Sequence, residues 1–247
     1  VEELADLAGE HAAFARLLGT LDGADWERPS AAAGWAVRDQ VAHLADTEEV
    51  AADTITEGPR RFAAAVAPYA SAEDFTAAGC RRGAGLSPPE LVGWWAGAAA
   101  RTRRLLAERD PDERVAWGFG MPVRTFVAAR LMEHWAHGLD IADALALPVA
   151  EERRLRHVAA LGLATLRYAL ARARVPWPAG RSLRLELTAE DGRVHELGPA
   201  DATDVLRGPL RAWCRVATRR AGRATPPALE PRGELAALAA RHARAYL

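Results

Sequence analysis

Lysine and asparagine are absent from this chain, and all 32 basic residues are arginine. Isoleucine occurs only at positions 55 and 141. These gaps read as the bias of a GC-rich coding sequence and carry no function of their own. Cysteine is scarce as well. Cys80 and Cys214 lie far apart and form no CxxC pair, which excludes a thiolate zinc knuckle and a disulfide scaffold and fits a reducing cytoplasm. An uninterrupted apolar run is missing, since the Ala/Leu-rich stretch 155–175 carries Arg167, Arg172 and Arg174 and is too charged to span a membrane. Residues 1–11 alternate acidic and apolar positions and lack the basic start and apolar centre of a secretion signal. An excess of one charge is also missing: 32 basic against 33 acidic residues leave a net charge of −1. With the arginines spread along the chain, neither nucleic acid nor an anionic membrane surface is expected as a partner.

What is present is a chain of 247 residues, half of them apolar, long enough for one generous or two modest domains with a real core. The arginines have a physical consequence too. Each is always charged and can grip a carboxylate with two parallel N–H groups, so a small anionic substrate suits such a protein.

Hydrophobic spacing predicts a mainly helical first part. Leu4, Leu7, His11, Phe14, Leu18 and Leu21 recur at intervals of three and four, the mark of an amphipathic helix over 2–21. Further helices are expected over 34–57, stopped by Gly58-Pro59, and over 60–66 and 72–78. Ser87-Pro88-Pro89-Glu90 announces a long helix to about 109. After a loop through 117–122, a helix over 124–145 and another over 150–174 follow. Beyond Pro178 the period becomes two, with Leu183, Leu185 and Leu187 on one side. A hairpin turning at Asp191-Gly192 to a strand at 194–197 is expected, then helices near 209–218 and 233–246. This predicts domains over 1–147 and 148–247, with the boundary somewhere in 147–178.

The most chemically loaded segment is Glu133-His134-Trp135-Ala136-His137. On a helix, Glu133 and His137 share one face with Cβ atoms roughly 6 Å apart, a spacing that suits two ligands of one metal ion. Arg130 and Asp140 fall in the same stripe, whereas His134 points about 100° away and is not counted as a ligand. The stripe has two readings: a charged face turned to water, or a ligand set turned inward. His43 has two as well, a core histidine bonded to a carbonyl or a third ligand from another helix. Asp140, one turn beyond His137, would accept the proton on that ring's other nitrogen or stand as an exposed helix-end acid. Trp35 and Trp117 would line a pocket or simply pack.

The runs Gly34-Trp35-Ala36-Val37-Arg38-Asp39-Gln40-Val41-Ala42-His43-Leu44 and Arg130-Leu131-Met132-Glu133-His134-Trp135-Ala136-His137-Gly138-Leu139-Asp140 resemble the DinB-like metal-binding proteins grouped with mycothiol-dependent maleylpyruvate isomerase. The resemblance implies a DinB-like four-helix bundle followed by a small C-terminal α/β domain. It implies a divalent metal, usually zinc, held by His43, Glu133 and His137, and the thiol mycothiol as cosubstrate. It also implies chemistry in which a thiolate adds to a cis double bond, the new single bond rotates and the thiol leaves, or in which the sulfur stays in the product. A zinc-bound thiol is deprotonated, so the protein need not supply a cysteine. Arg130, Arg215 and Arg219 are candidates to hold the substrate or thiol, with Arg220 beside them, although arginines at such positions are usually solvated.

Three functions follow. The first is a metal- and thiol-dependent isomerase or transferase acting on a small electrophilic metabolite. The second is a thiol-independent zinc enzyme of biosynthesis or hydrolysis, since fold and metal do not fix a reaction. The third is a metal-stabilised binding module without catalysis. A cytoplasmic monomer or homodimer is expected in each case.

Overall fold

Long helices form the first of two compact units, Val1–Val149 and Ala150–Leu247. The computed structural model describes residues 2–118, 120–149, 153–221 and 228–246. Four long helices build the first unit: α1 (Glu2–Leu18), α2 (Val37–Glu57), α5 (Pro88–Ala107) and α6 (Val123–Leu145), with the short α3 (Pro59–Val66) and α4 (Ala72–Gly83) between α2 and α5. One turn of 3-10 helix at Asp25–Glu27 buries Trp26. A two-residue ladder pairs β1 (Arg114–Val115) with β2 (Met121–Pro122) inside the stretch expected to be loop.

Local signals set the helix ends. At α5 the Ser87 N–H and hydroxyl both donate to Glu90 Oε2, at 2.8 and 2.6 Å, closing the capping box. α2 starts where Asp39 accepts the Ala36 N–H at 2.8 Å and stops at Gly58, whose φ of 80° an L residue rarely adopts. α1 buries Leu7, His11, Phe14 and Leu18 on one face, the period seen in the sequence. Phe14 and Leu18 join Trp26, Val41, Leu44, Leu91, Trp95 and Ile141 in a shared core. Each such side chain, fully buried, contributes about 1.5–3 kcal/mol. α4 lies directly against α2: a Cβ at Gly79 would stand 2.7 Å from the Asp46 carboxylate, and one at Gly83 2.5 Å from Ala42 Cβ.

α6 is buried on nearly every side. Arg130, His137 and Asp140 are only 2%, 8% and 2% exposed, so the charged stripe faces neighbouring helices. The water-facing alternative is thereby set aside.

The second unit contains α7 (Leu155–Ala164), α8 (Leu166–Arg172), β3 (Leu183–Thr188), β4 (Val194–Leu197), β5 (Asp204–Pro209), α9 (Leu210–Ala217), β6 (Glu230–Arg232) and α10 (Glu234–His242). The single helix expected over 150–174 is two helices within the described residues, parted at Thr165, whose hydroxyl donates to the Leu161 and Arg244 carbonyls at 2.8 Å each. Residues 150–152 of that expectation lie outside the described residues. The hairpin β3–β4 is present, and Gly192 has the positive φ its turn needs. The sheet runs β4-β3-β5-β6, with β5 parallel to β3. Trp213 on α9 is fully buried and donates to the Ala159 carbonyl on α7 at 3.1 Å. No described helix is long and apolar enough to cross a membrane.

Candidate metal centre

α2 and α6 pack against each other and bring His43, Glu133 and His137 together. One potential ligand atom from each lies within 4.8 Å of the other two. Glu133 Oε2 is 3.5 Å from His43 Nε2 and 3.3 Å from His137 Nε2. Those separations are too long for strong hydrogen bonds. They match donor atoms sharing one cation, because ligands about 2.1 Å from a tetrahedral centre stand about 3.4 Å apart. The two side-chain imidazoles are 11% exposed and the carboxylate 22%, so the group is partly open to solvent. Burial alone would raise the Glu133 pKa. Its contacts with His137 and His43 outweigh that and hold the carboxyl well below the usual range.

The ring of His137 is oriented from behind. Its Nδ1 contacts Gln40 Oε1, and the Gln40 amide nitrogen donates to Ser30 Oγ at 2.7 Å. An amide oxygen can only accept, so Nδ1 carries the proton and Nε2 keeps its lone pair for the site. Sequence spacing offered this role to Asp140, beside the alternative of an exposed helix-end acid. The structure puts Asp140 Oδ2 3.9 Å from Nδ1, because a residue three positions on along the same helix stands beside the ring, while α2 crosses in front of it. Asp140 thus adds charge next to His137 and Gln40 makes the contact. A signal for Gln40 was available: it is the chain's only glutamine, one helical turn before His43. Trp35 stacks on His137 with rings 6.1 Å apart and 15° from parallel, and lies 5.3 Å from the His43 ring. It forms one wall of the site. Trp117 instead packs on Phe62 and Phe126 and lies over Arg130.

Residues 7–142 match the family model described as the mycothiol maleylpyruvate isomerase N-terminal domain, more than half of the chain. The chain belongs to that family. Two uncharacterized proteins from two strains of Mycobacterium tuberculosis are each 33% identical to it over 219 residues, covering 88% of this chain and 84% of theirs. The crystal structure of the mycothiol-dependent maleylpyruvate isomerase superposes with a TM-score of 0.59 at 21% identity, covering 89% of this chain and 88% of that one. A histidine-to-alanine variant of that enzyme gives 0.59 at 20%. The fold is therefore that of the DinB-like isomerase, mainly helical with a small C-terminal α/β part.

A second group in this maleylpyruvate isomerase-type bundle escaped the sequence reading. His11 of α1, Glu48 of α2 and His134 of α6 also bring potential ligand atoms within 4.8 Å of one another, all of them buried. Here most of the donor atoms are taken, all but His11 Nε2 and Glu48 Oε2. Trp95 Nε1 donates to His134 Nε2 at 2.9 Å, so His134 Nδ1 carries a proton, which it gives to the Arg130 carbonyl at 2.8 Å. Arg103 donates to His11 Nδ1 at 2.9 Å. Glu48 Oε1 accepts from Arg130 Nε at 2.8 Å. His134 is thus separate from the first group, the consequence of its 100° offset on the helix.

The arginine candidates have other partners. Arg130 is an interior cation, 2% exposed, bonded to Glu48 and Thr47, which leaves it no free face for a substrate. Arg215 donates to the Arg220 carbonyl and Arg219 to the Arg241 carbonyl, both at 3.3 Å, within the second unit. Both cysteines are buried, and burial pushes the Cys80 thiol up to about 12, so neither is a nucleophile.

Proposed function

We propose that this chain is a metal-dependent enzyme of the cytoplasm that uses mycothiol to isomerise, or to transfer sulfur to, a small electrophilic and anionic metabolite. His43, Glu133 and His137 would hold a divalent metal, with zinc favoured by two imidazoles and one carboxylate. The observation that carries the reading is the spacing of the three donors, 3.3 and 3.5 Å around Glu133 Oε2, on a face that solvent reaches. Membership of the mycothiol maleylpyruvate isomerase N-terminal family supports the thiol. When bound, the metal supplies Lewis acidity that keeps a thiol as its reactive thiolate near neutral pH and leaves positions open beyond three protein ligands.

The chain's own residues perform the remaining tasks. Gln40 keeps His137 in the Nδ1–H form, so Nε2 can donate its electron pair. Glu133 brings one negative charge, which offsets part of a dication. The Trp35 ring excludes water from one side of the two imidazoles and offers an apolar surface to whatever reacts there.

Metal content of the untagged protein comes first, by elemental mass spectrometry, followed by turnover of cis-configured electrophilic carboxylates with and without mycothiol. About one transition metal per chain and strictly thiol-dependent turnover are expected. Turnover that ignores the thiol would leave the zinc centre and overturn the mycothiol assignment. Absence of metal after reconstitution with zinc would overturn both.

A further inference from the structure

Buried charge behind the candidate metal centre has no role in the function proposed above. Arg130 and Glu48 have side chains 3% and 0% exposed, yet neither reaches substrate space. A buried ion pair is a costly way to stabilise a fold, because desolvation consumes most of the attraction and apolar residues of similar volume often serve as well. Its retention calls for another reason. One candidate reason is a second metal site, since His11, Glu48 and His134 have suitable donors, and His11 Nε2 and Glu48 Oε2 are buried without a partner. The local charge argues against a dication there. Arg130 is bonded to the Glu48 carboxylate, Arg103 to the His11 ring, and both nitrogens of His134 are already engaged. The cation of this second group is the Arg130 guanidinium.

The connections of that guanidinium show what it holds. Its Nε donates to Glu48, its NH2 donates to Thr47 Oγ1 at 3.1 Å, and the Thr47 hydroxyl donates to the backbone carbonyl of His43 at 2.9 Å. One arginine of α6 is therefore wired to the helical turn of α2 that carries His43. Arg130 stands three residues before Glu133, and its carbonyl receives His134, which Trp95 of α5 anchors in turn. Glu48 is tied to α5 as well, through its carbonyl and the Thr102 hydroxyl at 3.0 Å. His43 and the Glu133/His137 pair come from separate helices, so their spacing depends on the rotation and height of α2 against α6. Glu48, Arg130 and Thr47 clamp that register.

We propose that Glu48, Arg130 and Thr47 are positioning residues that set the register of α2 against α6, and so the distance of His43 from Glu133 and His137. The inference rests on the metal reading above. Its test is zinc affinity of the intact protein by chelator competition, measured beside thermal unfolding of the metal-free form. The double variant Glu48→Leu/Arg130→Met removes both charges together and should keep the unfolding midpoint close to wild type, while zinc affinity falls about 10- to 100-fold, the usual cost of losing a partner that orients ligands. Thr47→Val keeps shape and helix, covers the case in which the double variant does not fold, and should weaken zinc several-fold while the midpoint falls modestly, because one guanidinium N–H loses its acceptor. Arg130→Lys should fall between wild type and the double variant, since an ammonium can pair with Glu48 but cannot span to Thr47 as a planar fork does. Wild-type affinity in folded Thr47→Val, or in the folded double variant, would overturn the positioning role and leave the metal centre standing. A second zinc equivalent in the wild-type protein would also overturn it, by giving the buried group a different cation. A wild-type chain that binds no zinc would overturn the metal reading itself.

Discussion

Two groups of two histidines and one glutamate stand side by side in the same bundle, and adjacent residues of α6, Glu133 and His134, belong to different ones. In the outer group the donor atoms face each other at 3.3 and 3.5 Å with only the far nitrogen of His137 held in place. In the inner group an indole, a backbone carbonyl and two guanidinium groups already occupy most of the ring and carboxylate atoms. Residue types and proximity therefore do not separate a candidate metal centre from a structural network. Access to solvent separates the two groups, together with the guanidinium charges bonded into the inner one.

Removing a ligand should break the symmetry of the two groups most strongly. His43→Ala, Glu133→Ala or His137→Ala is expected to lower zinc affinity by roughly three orders of magnitude, about 4 kcal/mol out of the 10 or more that such centres supply. His134→Ala should keep the metal and lose stability instead, as chelator competition and urea unfolding would show. Equal zinc retention in all four would sink the ligand assignment. Next in size is Glu48→Ala, which strands the Arg130 charge in the interior and should cost about 3–5 kcal/mol of folding free energy. The matching change in the outer group, Glu133→Ala in metal-free protein, should cost far less, because that carboxylate is 22% exposed and its contacts are with the two histidines of its own group. A comparable loss in both would mean that the outer group, too, is structural. Gln40→Leu should leave the fold in place and weaken zinc about 10- to 100-fold by freeing the His137 tautomer.

A further effect is expected in acid. Burial, with the charges of Arg103 and Arg130 and the His134 ring nearby, drives the His11 pKa far below its usual value, and burial pushes His134 down to about 4 against the pull of Glu48. Folded His11 therefore stays neutral while the unfolded chain takes up a proton near pH 6.5. Its contribution to stability is complete above that pH and is lost on acidification below it, by up to about 1.4 kcal/mol per pH unit. Urea titrations of metal-free protein between pH 7 and 5 should show this slope from His11 and an equal one from His134, and His11→Phe should remove about half of the total. An unchanged slope in the variant would place the acid sensitivity elsewhere.

Much of the fold could be read ahead of the structure where the signal is local. The capping box at Ser87–Glu90, the stop at Gly58-Pro59 and the hairpin turn at Gly192 each depend on a few neighbouring residues. The interval of four between Glu133 and His137 is equally local. Pairings between distant segments were not legible. β5 joins β3 in parallel across an intervening hairpin, and nothing in Asp204–Pro209 announces a strand whose partner begins about twenty residues away. The inner group is of the same kind. The period of α1 put His11 on the buried face, but its neighbours Glu48 and His134 come from two other helices. The charged stripe of α6 left two readings open for a related reason, since a helix packed on almost every side buries its polar face along with its apolar one.

Silence of the protein's own sulfur has a practical side. With Cys80 and Cys214 both buried and the Cys80 thiol held near 12, a thiol-titrating dye added to a native reaction mixture would count the free cosubstrate alone. Isomerisation returns its thiol and would leave that count flat as product accumulates, whereas sulfur transfer would draw it down mole for mole. Timed aliquots counted in this way would thus separate the two proposed reactions before any product is isolated.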